Sequence, residues 1–222
     1  MKPGIVPLGD SSVLVQLGDE IDLTLNQRVH ALENLIETSF INGIIETVPA
    51  YATLLVHYDP LILSFTQIKN LLRTKMAQME EFSTRKPRQV QVPVRYGGEY
   101  GIDLAAVAAH LHLSVEDVIR IHSEKIYTVY MMGFTPGFPY MGKLDGAIMM
   151  PRLETPRTHV PAGTVAIAGS QTGIYSIDSP GGWRLIGWTP LQLFHPESDS
   201  PFLFAPGDEV KFIPEKYRLS QK

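Results

Sequence analysis

Ile126-Tyr127-Thr128-Val129-Tyr130-Met131-Met132 runs straight into Gly133-Phe134-Thr135-Pro136-Gly137-Phe138. Seven residues rich in β-branched and aromatic side chains, closed by glycine and proline, read as a strand followed by its loop. The pattern recurs downstream at residues 164–168, 183–188 and 210–213. Residues 131–207 hold 10 of the 17 prolines and 11 of the 18 glycines. Strands separated by such loops predict a barrel or sandwich for the second half of the chain. A strand over 90–96 opens that half. Two short helices follow, one capped by Asp103 over 104–111. The other starts at the capping-box-like Ser114-Val115-Glu116-Asp117 and reaches His122.

Working back towards the N-terminus, the polar stretch Ser83 to Gln89 reads as a linker. We expect an α+β N-terminal domain over 1–85 and a mainly-β domain over 86–222. The first reads as strand (12–17), helix, strand (44–48), strand (53–58), helix. Asp22 precedes Leu25, Val29, Leu32, Leu35 and Ile36 at helical spacing, and Ser64 precedes Ile68, Leu71, Leu72, Met76 and Met79. Strand-helix-strand used twice predicts a small split βαβ sheet with helices on one face.

Composition narrows the function. Of 222 residues, 19 are Lys or Arg and 23 Asp or Glu, a net charge of −4. That balance argues against nucleic acid as a partner, which calls for a basic stripe. The absence of cysteine excludes disulfides, a thiol nucleophile and thiolate-bound metals, and fits a reducing compartment. Met1-Lys2-Pro3-Gly4 lacks the apolar run of a signal peptide, and no stretch reaches the roughly 18 apolar residues of a membrane span. A cytoplasmic location without membrane contact is expected.

Several motifs fail on chemistry. Gly137-Phe138-Pro139-Tyr140-Met141-Gly142-Lys143 has the spacing of a phosphate-binding loop. However, Leu144 stands where Ser or Thr should hold magnesium, and Pro139 lacks an N–H to offer phosphate. Gly169-Ser170-Gln171-Thr172-Gly173 displaces the serine of a nucleophile elbow. The seven histidines show no ligand spacing, so no protein-bound metal is expected. His122 stands out at a helix C-terminus, where the dipole would favour its cation, and both a structural and a functional role stay open for it. The positive signal is Arg152, Arg157 and Arg184 in Pro/Gly-rich loops. Guanidinium there either holds an anion bidentately or ties loops through backbone carbonyls. Ser179-Pro180-Gly181-Gly182-Trp183 allows close backbone approach beside a flat apolar wall.

These stretches, with Pro151-Arg152, Pro156-Arg157, Val160-Pro161-Ala162-Gly163, Gly169 to Tyr175, Asp103-Leu104 and Ile121-His122-Ser123, occur together in one family's order. Over essentially its whole length the chain resembles the first-subunit family of allophanate hydrolase and KipI. The commonest bacterial members are the B subunits (PxpB) of ATP-dependent 5-oxoprolinase. The resemblance implies a cyclophilin-like barrel after a small α/β domain. It implies a PxpC-like and a PxpA-like partner subunit, and ring opening of 5-oxo-L-proline to L-glutamate coupled to ATP hydrolysis. The B and C subunits would activate the lactam by phosphorylation and the A subunit would open it. ATP would be shared with the partner, with Mg2+ beside it, and the isolated chain would be inactive. By motif position, His122, Arg157 and Gln171 would be catalytic. Phe134, Pro136, Gly137, Arg152, Gly163, Tyr175, Pro180, Gly181, Gly182, Trp183 and Arg184 would bind substrate. Ser176 stands where the family usually has proline, which would loosen a loop near Tyr175. The alternative role is a KipI-like inhibitor of a sporulation histidine kinase, through an apolar surface at 134–139. An allophanate hydrolase subunit ranks third, because no amidase Ser-Ser-Lys triad is visible.

Overall fold

The Asp22 side chain accepts a hydrogen bond from Leu25 N at 2.9 Å and starts helix α1, Leu23–Glu37. This fixes the first helix of a computed structural model that describes residues 4–79 and 87–215. Two compact units, Met1–Lys86 and Pro87–Lys222, are described separately. The boundary expected at 85/86 lies outside the described residues.

In the first unit, strands β1 (Gly4–Pro7) and β2 (Ser12–Gln16) precede α1. Strands β3 (Ile44–Pro49) and β4 (Thr53–Tyr58) and helix α2 (Phe65–Gln78) follow it. The strands form one antiparallel sheet in the order β1-β2-β4-β3. Sequence reading missed β1, a four-residue edge strand ending in Pro7, a residue that only an edge tolerates. Ser64 and Gln67 close a capping box on α2. Val13, Val15, Leu54 and Val56 from the sheet share one core with Val29 and Leu32 of α1 and Ile68 and Leu72 of α2.

One polar side chain enters that core from α1. Asn26 is buried, and its Nδ2 donates to Ala50 O at 3.2 Å and Tyr51 O at 3.3 Å. It holds the β3–β4 turn to the helix. Asn26→Ala leaves both carbonyls without this donor and is expected to cost about 2 kcal/mol. An unchanged urea midpoint would remove the turn-holding role.

The second unit begins with β5 (Gln89–Tyr96), α3 (Leu104–His110) and α4 (Val115–Glu124). Then come β6 (Ile126–Met132), β7 (Pro139–Gly142), β8 (Arg157–Val160), β9 (Thr164–Ala168) and β10 (Gln171–Ile174). The last elements are β11 (Ser179–Gly181), β12 (Arg184–Trp188) and β13 (Glu209–Pro214). Seven strands close a barrel in the order β10-β7-β6-β13-β5-β12-β9, and β8 and β11 form a separate two-stranded ribbon. Only the β13–β5 pair is parallel, so the barrel is mixed. Val92, Val94, Tyr127, Val129, Met141, Val165, Ile167, Ile186 and Phe212 fill it.

Strand β9 is buried along its whole length. Val165 and Ile167 belong to the barrel interior. Ala166 and Ala168 point to the opposite face, as the period of two requires, and meet a second cluster of Phe138, Val160, Tyr175, Trp183 and Leu185. That outer cluster gathers most of the motifs singled out in the sequence.

Candidate functional site

The loop between β6 and β7 is closed by Gly133 N donating to Phe138 O and Phe138 N to Thr135 O, both at 3.1 Å. Phe134 is held at φ +67°, a left-handed conformation uncommon outside glycine, with its ring 60% exposed. Ser176 Oγ donates to Pro136 O at 2.6 Å. The serine thus ties this loop to the chain after β10, where a loosened loop was expected.

Phe134 sets its edge against Phe138 and Tyr175. Phe138 in turn meets Tyr140, Tyr175 and Trp183 edge-to-face. Packing of this kind is favoured by the ring quadrupoles. The Arg152 guanidinium lies 5.9 Å from the Trp183 ring centroid. Burial raises the Tyr175 and Tyr140 phenol pKa values, and nearby Arg152 opposes the shift in both. The result is an aromatic wall with a cation at its edge.

Gly181 is required by this packing. A β-carbon there would lie 2.1 Å from Tyr175 Oη, and the tyrosine is fully buried. Gly181→Ala is expected to displace the ring and cost about 2 kcal/mol, read as a lowered urea midpoint. A wild-type midpoint would show that the ring moves freely.

A second locus forms around Arg157 on β8. Its Nη2 donates to Asp103 Oδ1 at 2.7 Å, while Asp103 Oδ2 accepts from Leu185 N, also at 2.7 Å. The side chains are 26% and 11% exposed. Asp103 was expected to cap α3, but it makes no cap hydrogen bond and spends both oxygens on these long-range partners. A cavity of about 410 Å3 opens beside Arg157, lined also by Glu99, Tyr100, Ile102, His159 and Trp188. Tyr100 and Trp188 stack at 5.6 Å, with Arg95 over both rings.

The structure does not bring all expected site residues together. Phe134, Arg152, Tyr175, Gly181 and Trp183 share the aromatic locus. Gly137, at φ +80°, shapes its loop, and Pro136 and Pro180 are exposed nearby in sequence. Arg184 Nε donates to Pro151 O, and Gly182 O accepts from Leu153 N, so both tie the 151–153 loop to β12 and its lead-in. Gly163 lies under Trp188, where a β-carbon would be 2.4 Å from Thr189 O. Gln171 starts β10 opposite Gly142 and Ala168.

His122 sits elsewhere. It is 0% exposed inside the barrel, packed on Tyr127 and Phe212. Thr172 Oγ1 donates to Ala166 O, so its lone pair accepts from Nε2–H at 2.9 Å, and Nδ1 accepts from Tyr96 Oη at 2.7 Å. That order assigns the neutral Nε2–H tautomer. Burial lowers its pKa from 6.5 to about 3. The expectation that the helix dipole would keep it cationic is therefore corrected: desolvation in the core outweighs the partial charge of a helix end.

Sequence reading passed over Asp103, Tyr140, Tyr100 and Trp188 as site residues. Residues 139–142 form strand β7 with no α-helix directly following, so the phosphate-loop spacing carries no phosphate cradle. Among the described residues, no three His, Asp or Glu side chains gather as metal ligands.

Residues 3–204 match the family described as carboxyltransferase domain, subdomain C and D. The chain is 44% identical to the B subunit of 5-oxoprolinase from Bacillus subtilis, covering 98% of this chain and 93% of that protein. It superposes on the conserved uncharacterized protein PH0987 of Pyrococcus horikoshii with a TM-score of 0.57 and 50% identity, covering 95% and 97%. On the crystal structure of TTHA0988 the TM-score is 0.80 at 38% identity. There the match covers 92% of this chain but spans only 40% of that longer one.

Proposed function

Because the chain belongs to the carboxyltransferase subdomain C and D family, which includes 5-oxoprolinase B subunits, we propose that it is the B subunit of an ATP-dependent 5-oxoprolinase. The observation that carries this reading is 44% identity over 98% of the chain to a protein of that name. In the proposed reaction, 5-oxo-L-proline is activated by phosphorylation on this chain and a C-type partner, and an A-type subunit opens the ring to L-glutamate. A lactam is a poor electrophile. Phosphorylating its carbonyl oxygen makes the ring carbon electrophilic: water adds there, the C–N bond breaks to give a γ-acyl phosphate, and its hydrolysis releases phosphate and L-glutamate.

ATP, when bound in the complex, supplies the phosphoryl group. Among the described residues no three His, Asp or Glu side chains gather, so Mg2+ accompanying ATP would be held largely by the phosphates and water. This chain's own part is to hold and orient. The packed rings of Phe134, Phe138, Tyr175 and Trp183, with Arg152 at their edge, hold the 133–138 and 179–183 segments in place. The finer fold readings, a split βαβ first unit and a cyclophilin-like barrel, go with this proposal. So does a cytoplasmic location: no described helix is long and apolar enough to cross a membrane.

That the TTHA0988 chain carries the equivalent of this one within a longer polypeptide favours a tightly associated partner. Mixed with a C-type subunit, this chain is expected to co-elute as a heteromer on a sizing column and to hydrolyse no ATP by itself. Separate elution of the two proteins would count against the proposal.

A further inference from the structure

Among the described residues, two buried side-chain polar atoms lack a hydrogen-bond partner: Arg157 Nη1 and Ser179 Oγ. Both belong to the β8–β11 ribbon, where Gly181 pairs with Arg157 and Ser179 with Val160. Buried donors are almost always satisfied, so Arg157 Nη1 is a donor free to bond a water or a ligand. Arg157 also lines the 410 Å3 cavity, whose size suits a small molecule.

We infer that this cavity is a subsite for a small, flat monocarboxylate, with Arg157 as its anchor and Asp103 as the residue that positions Arg157. The inference rests on the B-subunit reading for its substrate, 5-oxoproline, whose carboxylate would be the group bound. Asp103 takes one end of the guanidinium and is itself fixed by Leu185 N, so the fork is held in one orientation. The remaining Nη1 is left to donate. Nη1 itself is buried while part of the Arg157 side chain lines the cavity, so a ligand there meets this donor only after a side-chain shift of the kind common on binding. Tyr100 and Trp188, stacked on one another and both lining the cavity, offer aromatic surface to a five-membered ring.

Charge selects the ligand class. The lining holds Arg157 and Glu99, which cancel, plus His159, and buried Asp103 adds a negative charge behind Arg157. Arg95, over the Tyr100 and Trp188 rings, is paired with Glu215 as Arg157 is with Asp103, so a polyphosphate would find no cluster of unpaired cations among these residues. A single carboxylate needs only the directional donor, and Glu99 can accept from a ring N–H.

The test follows the Trp188 indole N–H of the full chain by NMR. That proton donates to Ala162 O at 2.8 Å. The titrants are 5-oxoproline, 2-pyrrolidinone (the lactam without carboxylate) and ATP. A saturable shift with 5-oxoproline alone is expected. Arg157→Gln should weaken it about tenfold or more. Ile102→Trp, at an exposed position on the rim, should abolish it by filling the cavity without burdening the core. In a reconstituted mixture with C-type and A-type subunits, both variants should raise KM for 5-oxoproline more than they lower kcat. A shift with 2-pyrrolidinone or ATP instead overturns the inference. So does a KM unchanged in both variants while the mixture turns over, and the B-subunit reading then stands. Carboxylate binding here in a mixture that never turns over would remove the B-subunit reading and keep the subsite.

Discussion

Acidification from about pH 7 to about pH 4 is expected to cost this protein about 3 kcal/mol through His122 alone. Folded, the imidazole stays neutral down to about pH 3; unfolded, it takes up a proton near 6.5. Between those values the unfolded chain binds the extra proton, so stability is lost as pH falls through the window and regained as it rises. The cause is local. Nδ1, the atom that would be protonated, already accepts from Tyr96 Oη, and the hydrogen-bond partners of the ring are hydroxyls rather than carboxylates. Carboxylates elsewhere add their own slopes, so the quantity to read is a difference. Urea unfolding of wild type and His122→Phe at several pH values should show about 1.4 kcal/mol per unit less dependence in the variant below pH 6. At neutral pH the variant should be weaker by about 2 kcal/mol, because the Tyr96 hydroxyl loses its acceptor in the core. Parallel slopes for the two proteins would contradict a buried neutral imidazole.

Asp103→Ala is expected to lower stability by about 3 kcal/mol, at the lower end for breaking a buried ion pair because Arg157 keeps some solvent contact. Two groups lose their partner at once: the Arg157 guanidinium and the Leu185 N–H. The cost comes largely from the stranded cation. Removing it too, in Asp103→Ala with Arg157→Ala, should restore about 1 kcal/mol over the sum of the single variants. Denaturant midpoints of the four proteins of this cycle measure it. Strict additivity would mean that Asp103 acts only through Leu185.

These two residues show what the sequence carries and what it does not. Helix starts were legible because each cap acts within three residues: Asp22 on Leu25 N, Ser64 on Gln67 and Ser114 on Asp117 N. Strands β6 and β9 were legible because five or more β-formers and small apolar residues run together. Strands β7, β8, β10 and β11 span only three or four residues inside Pro/Gly-rich chain, where composition says loop and only the pairing partner says strand. Asp103 looked like a cap because its true partners are 54 and 82 residues away.

For His122 the sequence held a better clue than its position at a helix end. It follows Val118 by four residues, on the buried face of α4, so helical period alone put it towards the core. Burial, not the helix end, decides its charge. Of the motif-derived site, the aromatic residues proved mutual neighbours. Arg157 lines a cavity with Pro161 of another motif, but the aromatic walls of that cavity, Tyr100 and Trp188, lie outside the motifs.

The proposed B-subunit role makes this chain a necessary component of a 5-oxoproline-opening ATPase. ADP and L-glutamate formation should be followed with 5-oxoproline and ATP in a mixture of this chain with C-type and A-type subunits, and with each component left out in turn. Both products should form in equal amounts in the complete mixture, and both should disappear when this chain is omitted. Equal rates with and without it would contradict the account.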